Sequence, residues 1–461
     1  MMRSILINVA ALGAACTFYS GLAWAQNAPA GPVLRPHQAY EQALQANPGL
    51  RASRAILEAN RERVPLARSG LLPQAQMSFG RNQNDLDTTA ENIFGQPSKT
   101  NTEYYSYNKT LSIRQPVLNV SRWLGLDQSK AQVRDAEANY QRDTGDLAVK
   151  VSGAYLDVLV AQDQWGWVQA QQKQLRAALE GATQAFQAGS GTRTDIDEAR
   201  TRLDMTQASL LEAEQTLEYN RRQLATLMNV APNPLLMLAP LDPAAWAQAQ
   251  SPLQPLEWWE ERALQGNPEI LSLQARLEVS QREVQKARAG HAPTLDAVAQ
   301  WSDTGNDNIT RLNTRYVNKS YGLQLTVPLY QGGGVNAQVR QALADRLRAE
   351  EALENLKLDL SLRLHKDHRG VLQGRQKVQA LEQALVSAHE MVRSNVMSRK
   401  AGVRTVLDVL NAEQQVLQVQ RELSIARAQT LMAGFRLRVL AGDPPQEAIM
   451  QIEQALTATP H

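Results

Sequence analysis

The sequence predicts a mainly α-helical chain with a membrane β-barrel portion, in which long antiparallel coiled-coil helices form an α-barrel continuous with a β-barrel of four strands per protomer. Three observations predict it. The run from Val335 to about Lys400 holds no proline and carries apolar residues at heptad-like steps through Val378, Leu381, Leu385, Ala388 and Val392, so at 1.5 Å per residue it makes a rod roughly 100 Å long. The pattern recurs at an offset of about 213 positions, an internal duplication. Ahead of each rod the apolar period changes from helical to two, the period of a strand.

At the N-terminus, Arg3, the apolar stretch Ile5 to Ala15 and the small-x-small site Ala23-Trp24-Ala25 compose a secretory signal over residues 1–25. The mature chain is expected outside the cytoplasm. Cys16, the single cysteine, lies inside that signal. Ala14 and Ala15 precede it as in a lipoprotein site, but Gly13 stands where a larger aliphatic residue belongs, so the mature chain is expected to hold no disulfide and no thiolate metal site.

A helical segment is then expected from about His37 to Arg68, broken near its start by Asn47-Pro48. Its second copy matches without a gap: Ala43-Leu44-Gln45-Ala46-Asn47-Pro48 corresponds to Ala263-Leu264-Gln265-Gly266-Asn267-Pro268, and Gly70 and Pro73 to Gly290 and Pro293. Strand pairs follow at about 73–116 and 293–328. In the first, Ala75, Met77, Phe79, Tyr105, Tyr107, Leu111 and Ile113 alternate with polar residues; in the second, Leu295, Ala297, Ala299, Trp301, Tyr321, Leu323, Leu325 and Val327 do so. Segments of about ten residues with one apolar face, and Tyr105, Trp301 and Tyr321 toward the loop ends, fit an outer-membrane barrel with an aromatic girdle. The loops Asn84–Glu103 and Asp303–Arg315 would face outward. Taken alone, the alternation fits a soluble sheet packed on helices equally well.

The strands enter the rods through Gln115-Pro116-Val117 and Val327-Pro328-Leu329, where proline is acceptable because the ladder has ended. Gly332-Gly333-Gly334 reads as a flexible strand-to-helix turn, since no Gly-Lys-Ser/Thr follows. Each rod returns as a hairpin. The returning seam runs through Val409, Ala412, Val416, Val419, Leu423, Ala426, Thr430, Ala433, Leu437 and Leu440, and in the first copy through Ile196, Ala199, Leu203, Thr206, Leu210, Ala213, Leu217, Asn220, Leu224 and Leu227. Six prolines from Pro232 to Pro255 mark a linker between the copies, with Trp246, Trp258 and Trp259 expected to be buried around the rods. The expected division is a first repeat over 26–229, a linker over 230–262, a second repeat over 263–442 and a tail over 443–461.

Composition narrows the function. With 48 basic and 46 acidic residues the net charge of +2 is too balanced for a nucleic-acid partner. No nucleophile constellation or nucleotide fingerprint is present, and His365, Asp367 and His368, the one local cluster, read as a solvated helix face rather than a metal site. The chain is expected to be no enzyme and to need no cofactor. Four strands cannot span a bilayer alone, because both sheet edges would leave backbone groups unpaired in hydrocarbon; several copies must close one barrel.

These residues resemble the TolC family of outer-membrane export channels. The likeness rests on the Asn47-Pro48 and Asn267-Pro268 helix starts, on Leu72-Pro73-Gln74, on Val327-Pro328-Leu329-Tyr330-Gln331-Gly332-Gly333, and on the turn from Ala401 to Ala412, and it spans nearly all of the mature chain. The resemblance implies a homotrimer with a twelve-stranded barrel in the outer membrane, contacting its lipid, and a periplasmic helical extension. It implies a passive exit duct for type I protein secretion or small-molecule efflux, completed by a periplasmic adaptor (membrane fusion) protein and an inner-membrane transporter, ABC or proton-driven. A periplasmic coiled-coil adaptor or scaffold is the competing reading.

By that likeness the tip turns, with Gly189, Thr192, Gly402 and Thr405, dock the adaptor, and Asp195, Arg404, Asp408 and Asn411 form the periplasmic constriction. Arg404 has Gly191 as its first-repeat counterpart. Asn411 replaces an acidic residue of some members and Arg399 a common tip tyrosine, which weakens the expected cation ring and changes the closing bonds. The same acids also fit a simpler role, since Thr192-x-x-Asp195 and Thr405-x-x-Asp408 are capping-box patterns.

Overall fold

A computed structural model describes residues 33–91, 93–232, 238–248, 252–306 and 314–456. The signal segment, Cys16 and most of the expected Asp303–Arg315 loop lie outside the described residues. The His37–Arg68 segment is divided into α1 (Pro36–Ala46), α2 (Pro48–Arg61) and α3 (Arg63–Ser69). Asn47 makes the first break. Its Oδ1 accepts from the Leu50 N–H at 3.2 Å, while its Nδ2 donates 3.0 Å to the Leu227 carbonyl, near the end of a distant helix.

β1 (Gln74–Glu91) and β2 (Pro97–Leu118) pair antiparallel from Gln74↔Arg114 to Glu91↔Pro97. The expected Asn84–Glu103 loop is therefore corrected: most of it extends the hairpin. Apart from Leu86 and Ala90 the paired side chains on both faces are polar or, at Pro97, a strand end, so no hydrophobic alternation announces a strand, yet β-branched Thr88, Thr89, Thr100 and Thr102 suit the pleat and the ladder satisfies the backbone. Pro116 is a second correction, because it lies within the ladder opposite Asp296, beside a register shift between Pro116 and Leu118. A bulge tolerates the missing N–H.

α4 (Val120–Gln187) and α5 (Arg193–Met228) form the first helical hairpin. Through the linker come α6 (Pro243–Gln248) and α7 (Leu256–Gly266), then α8 (Pro268–Arg288), β3 (Thr294–Asn306) and β4 (Thr314–Thr326). The second hairpin is α9 (Gly334–Lys400) and α10 (Val406–Leu440), and the segment read as a tail folds into α11 (Pro445–Gln454). At the junction, Gly332 and Gly333 take φ of 58° and 80°, open to glycine without strain. No helix among the described residues is long and apolar enough to cross a membrane.

The sheet order is β1-β2-β3-β4, antiparallel throughout. Its register puts Ala75, Met77, Ile113, Ala299 and Leu323 on one face and Gln76, Ser112, Gln300 and Ser320 on the other. Tyr105 stands high on β2, but Trp301 pairs with Lys319 and Tyr321 with Ala299 at mid-strand, so these two rings lie inside the apolar band instead of at the loop ends.

The helical seams are packed as the heptads require. Val378 and Ala388 on α9 and Val409, Ala412, Val416, Val419, Leu423, Ala426, Thr430, Ala433 and Leu437 on α10 are buried, as are Ala199, Thr206, Ala213, Leu217 and Leu224 on α5. The main core gathers Tyr155, Leu156, Leu224, Phe435, Ile449 and Ile452. Tyr155 anchors two loops there, its hydroxyl donating to the Leu34 carbonyl at 2.9 Å and accepting from the Ala239 N–H at 3.1 Å. Trp246 and Trp259 are buried, but Trp258 is 41% exposed, edge-on to Trp259 at 4.8 Å with the Arg262 guanidinium 5.3 Å above it. The expected solvated face at Asp367 is also corrected. Asp367 is buried and accepts from Arg436 Nε at 3.0 Å, a pairing that helix periodicity alone does not reveal.

Candidate functional site at the helix tips

At the far end from the sheet, both hairpins turn by the same device. Ala188 ends α4 and Gly189 follows at φ 73°; the Gly189 N–H donates to the Phe186 carbonyl at 3.0 Å and the Ser190 N–H to Ala185 at 2.9 Å. In the second tip Gly402, at φ 76°, donates to Arg399 at 2.9 Å and Val403 to Ser398 at 3.0 Å. This is a Schellman stop, in which a left-handed glycine lets the chain satisfy the orphan carbonyls of the helix end.

Each returning helix starts with a complete capping box. Thr192 Oγ1 accepts from the Asp195 N–H at 3.2 Å while Asp195 Oδ2 accepts from the Thr192 N–H at 3.1 Å. In the second tip Thr405 Oγ1 accepts from the Asp408 N–H at 3.3 Å, and Asp408 Oδ2 from the Thr405 N–H at 2.9 Å and the Thr405 hydroxyl at 3.0 Å. Stop and start are thus joined within five residues, and the tips are built as rigid corners.

The two corners differ in charge. Arg404 Nη1 lies 3.2 Å from Asp408 Oδ1 within its own turn. Gly191, its counterpart, has no room for a side chain, because a Cβ there would come within 3.0 Å of Ala185 Cβ and the Phe186 nitrogen. The Thr405 backbone N–H, then its hydroxyl, with Arg404 adding its charge, hold the Asp408 carboxyl below the usual carboxylate range.

Asn411 lies one helical turn beyond Asp408 and stands outside this corner. Its Oδ1 accepts from Arg202 Nη2 of α5 at 2.8 Å, so it bridges the two hairpins. Arg202 also reaches Glu198 Oε1 at 3.1 Å. Glu198 is the residue that the 213-position offset equates with Asn411, so one guanidinium is held between two equivalent positions of the two copies. Sequence reasoning missed Arg202; the Glu198–Arg202 spacing of four is its only sequence signal, and such pairs are common on solvated helices. Asn395 was missed as well, and donates to the Asp408 carbonyl at 3.1 Å. Behind the bridge, burial pushes the Glu413 carboxyl up, offset in part by the charge of Arg399. Among the described residues no cluster of histidine, cysteine and carboxylates could hold a metal ion.

A sequence profile described as outer membrane efflux protein matches residues 39–230 and 259–443, most of the chain and in two blocks. The chain belongs to the outer membrane efflux protein family. It is 30% identical over 427 residues to the proteases secretion protein PrtF of Dickeya chrysanthemi, covering 92% of this chain and 91% of that one. It is 32% identical to the alkaline protease secretion protein AprF of Pseudomonas aeruginosa, over 87% of this chain and 83% of the relative. Its fold matches the outer membrane protein VceC of Vibrio cholerae with a TM-score of 0.75 at 16% identity, covering 88% and 96% of the two chains. This outer membrane efflux protein is accordingly a TolC-type channel of the outer membrane with a periplasmic helical extension, and not an enzyme. The adaptor reading is displaced.

Proposed function

We propose that this protein is the passive exit duct of a tripartite exporter, closed as a homotrimer. The observation that carries the reading is the open four-stranded sheet. Its outer edges, β1 and β4, have no strand partner among the described residues, and its apolar face needs lipid. Three copies supply twelve strands and one barrel, with four rods each continuing it as a tube roughly 100 Å deep. The proposed division is the two repeats at 26–229 and 263–442, the linker at 230–262 and the tail segment at 443–461.

In this reading the tips are the gate. Asp195 and Asp408 ring the constriction, Arg404 neutralises part of that charge, and the Asn411–Arg202 bridge holds the second hairpin against the first. The exposed corners at Gly189, Thr192, Gly402 and Thr405 offer backbone and small side chains to the adaptor. The likeness to the protease secretion proteins PrtF and AprF favours a polypeptide cargo driven by a type I transporter. Reconstitution in planar bilayers tests the duct: a small, cation-selective conductance that rises when the tips are loosened is expected, and a protein that never conducts overturns the reading.

A further inference from the structure

The lipid-facing side of the sheet changes character at a definite height. The rods leave the sheet beyond Leu118 and Thr326, so that end is periplasmic and the other faces outward. From Leu325 the outward-facing residues are apolar up to the row of Met77, Leu111 and Trp301, apart from Gln115 and Lys319, and Phe79 and Val317 carry the band one row further on β1 and β4. The next row across the four strands is Arg81, Tyr107, Gly305 and Arg315, with Lys109 and Asp303 in the row beneath. From Leu325 to Arg315 is ten residues, which at about 3.3 Å each and a tilt of about 40° gives roughly 25 Å. That is the height of the apolar band of an outer-membrane barrel, and it puts the cations at the outer headgroup level.

Their local partners leave charge to spare. Arg315 is matched by Asp303, at 2.8 Å to each oxygen. Arg81, Lys109 and Lys319 are exposed and none has a carboxylate oxygen within 4.0 Å among the described residues, although Lys109 acts on Asp303 through its charge alongside Arg315. Arg81 instead stacks 5.2 Å over Tyr105 and Lys109 lies 5.4 Å from the Tyr107 ring centre, which fixes both heads against aromatic surface. The lumenal side of the same rows carries Asn82, Ser106, Asn108 and Thr304, with no cation. Above Tyr105 the outward face turns acidic at Asp85 and Glu103, so an anion is confined to the Arg81 row.

We propose that Arg81, Lys109 and Lys319, with the Tyr105 and Tyr107 rings, bind the phosphate groups of a phosphorylated outer-leaflet glycolipid. Guanidinium and ammonium suit a phosphate that sits where the hydrocarbon ends, and Lys319, one same-face row below Lys109, would extend its stem along the band toward the Lys109 row. An excess of cations on the lipid side, at the one height where charge costs little, matches an anionic leaflet. The inference rests on the barrel reading, whose own failure shows as absent conductance.

The test is native mass spectrometry of the detergent-extracted protein with added bis-phosphorylated lipid A, its dephosphorylated form, or inorganic phosphate. The wild-type protein is expected to retain the phosphorylated lipid and not the dephosphorylated one, with free phosphate failing to displace it. The Arg81→Gln/Lys109→Gln protein is expected to lose retention by about tenfold with conductance unchanged. Equal retention of both lipids by the conducting wild-type protein, or equal retention by wild type and variant, overturns the proposal.

Discussion

Arg202 on α5 donates to Asn411 on α10 across 2.8 Å, and no other side-chain hydrogen bond among those described links these two returning helices. It ties the hairpin of one copy to that of the other close to the tips. Both groups are near water, so the bond holds by about 1 kcal/mol. Asn411→Leu is expected to raise the open fraction several-fold in single-channel recordings, and Asn411→Asp, which gives Arg202 an ion pair, to lower it. Equal open fractions in all three proteins would remove the bridge from the gate.

Asp408 serves both as a cap and as a charge. Asp408→Ala is expected to raise conductance and weaken cation selectivity; lowered stability with unchanged conductance would leave only the cap. Its folded carboxyl is held below the ordinary value, so its contribution is present above about pH 4 and is lost as pH falls through the lowered folded value. Reversal potentials measured downward from neutral pH should keep their cation preference to below that point.

Gly402 and Gly191 make opposite demands on a methyl group. Gly402 has open space but φ 76°, so Gly402→Ala is expected to cost about 1 kcal/mol in backbone strain. Gly191 has no such φ but is crowded by Ala185 and Phe186, so Gly191→Ala must push the α4 end away. Hydrogen exchange should quicken at Ser190 in the Gly191 variant and at Val403 in the Gly402 variant, each without effect on the other tip.

The corners were legible in the sequence because they are local: glycine, then Thr-x-x-Asp, specifies a stop and a start over a few residues. The rods and seams were legible because burial follows the heptad. What stayed hidden depends on contacts distant in sequence. Arg202 meets Asn411 across 209 positions, Asp367 meets Arg436 across 69, and the polar hairpin beyond Asn84 forms through backbone pairing that its side chains do not advertise.

Asn267 is buried and does two tasks, accepting from the Glu269 and Ile270 N–H groups at 2.8 and 3.2 Å and donating to the Leu440 carbonyl at 2.9 Å. Asn267→Ala is expected to cost about 2 kcal/mol, read as a lowered Tm of the extracted protein. Asn47, its counterpart, is half-exposed and should cost less.

Burial pushes the Asp163 carboxyl up, against the Ser424 hydroxyl that donates to it at 3.0 Å and the charge of Arg427. With the folded value raised, its contribution is complete below the unfolded value near pH 4 and is lost as pH rises through the folded one. Asp163→Asn should flatten that decline in thermal melts and leave the variant the more stable at neutral pH.

The central claim is that backbone pairing forces three chains into one barrel. Light scattering of the unheated, detergent-extracted protein, with the detergent mass removed, tests it most directly. The account predicts a protein mass near three chains. A monomer carrying an intact four-stranded sheet in detergent would contradict it.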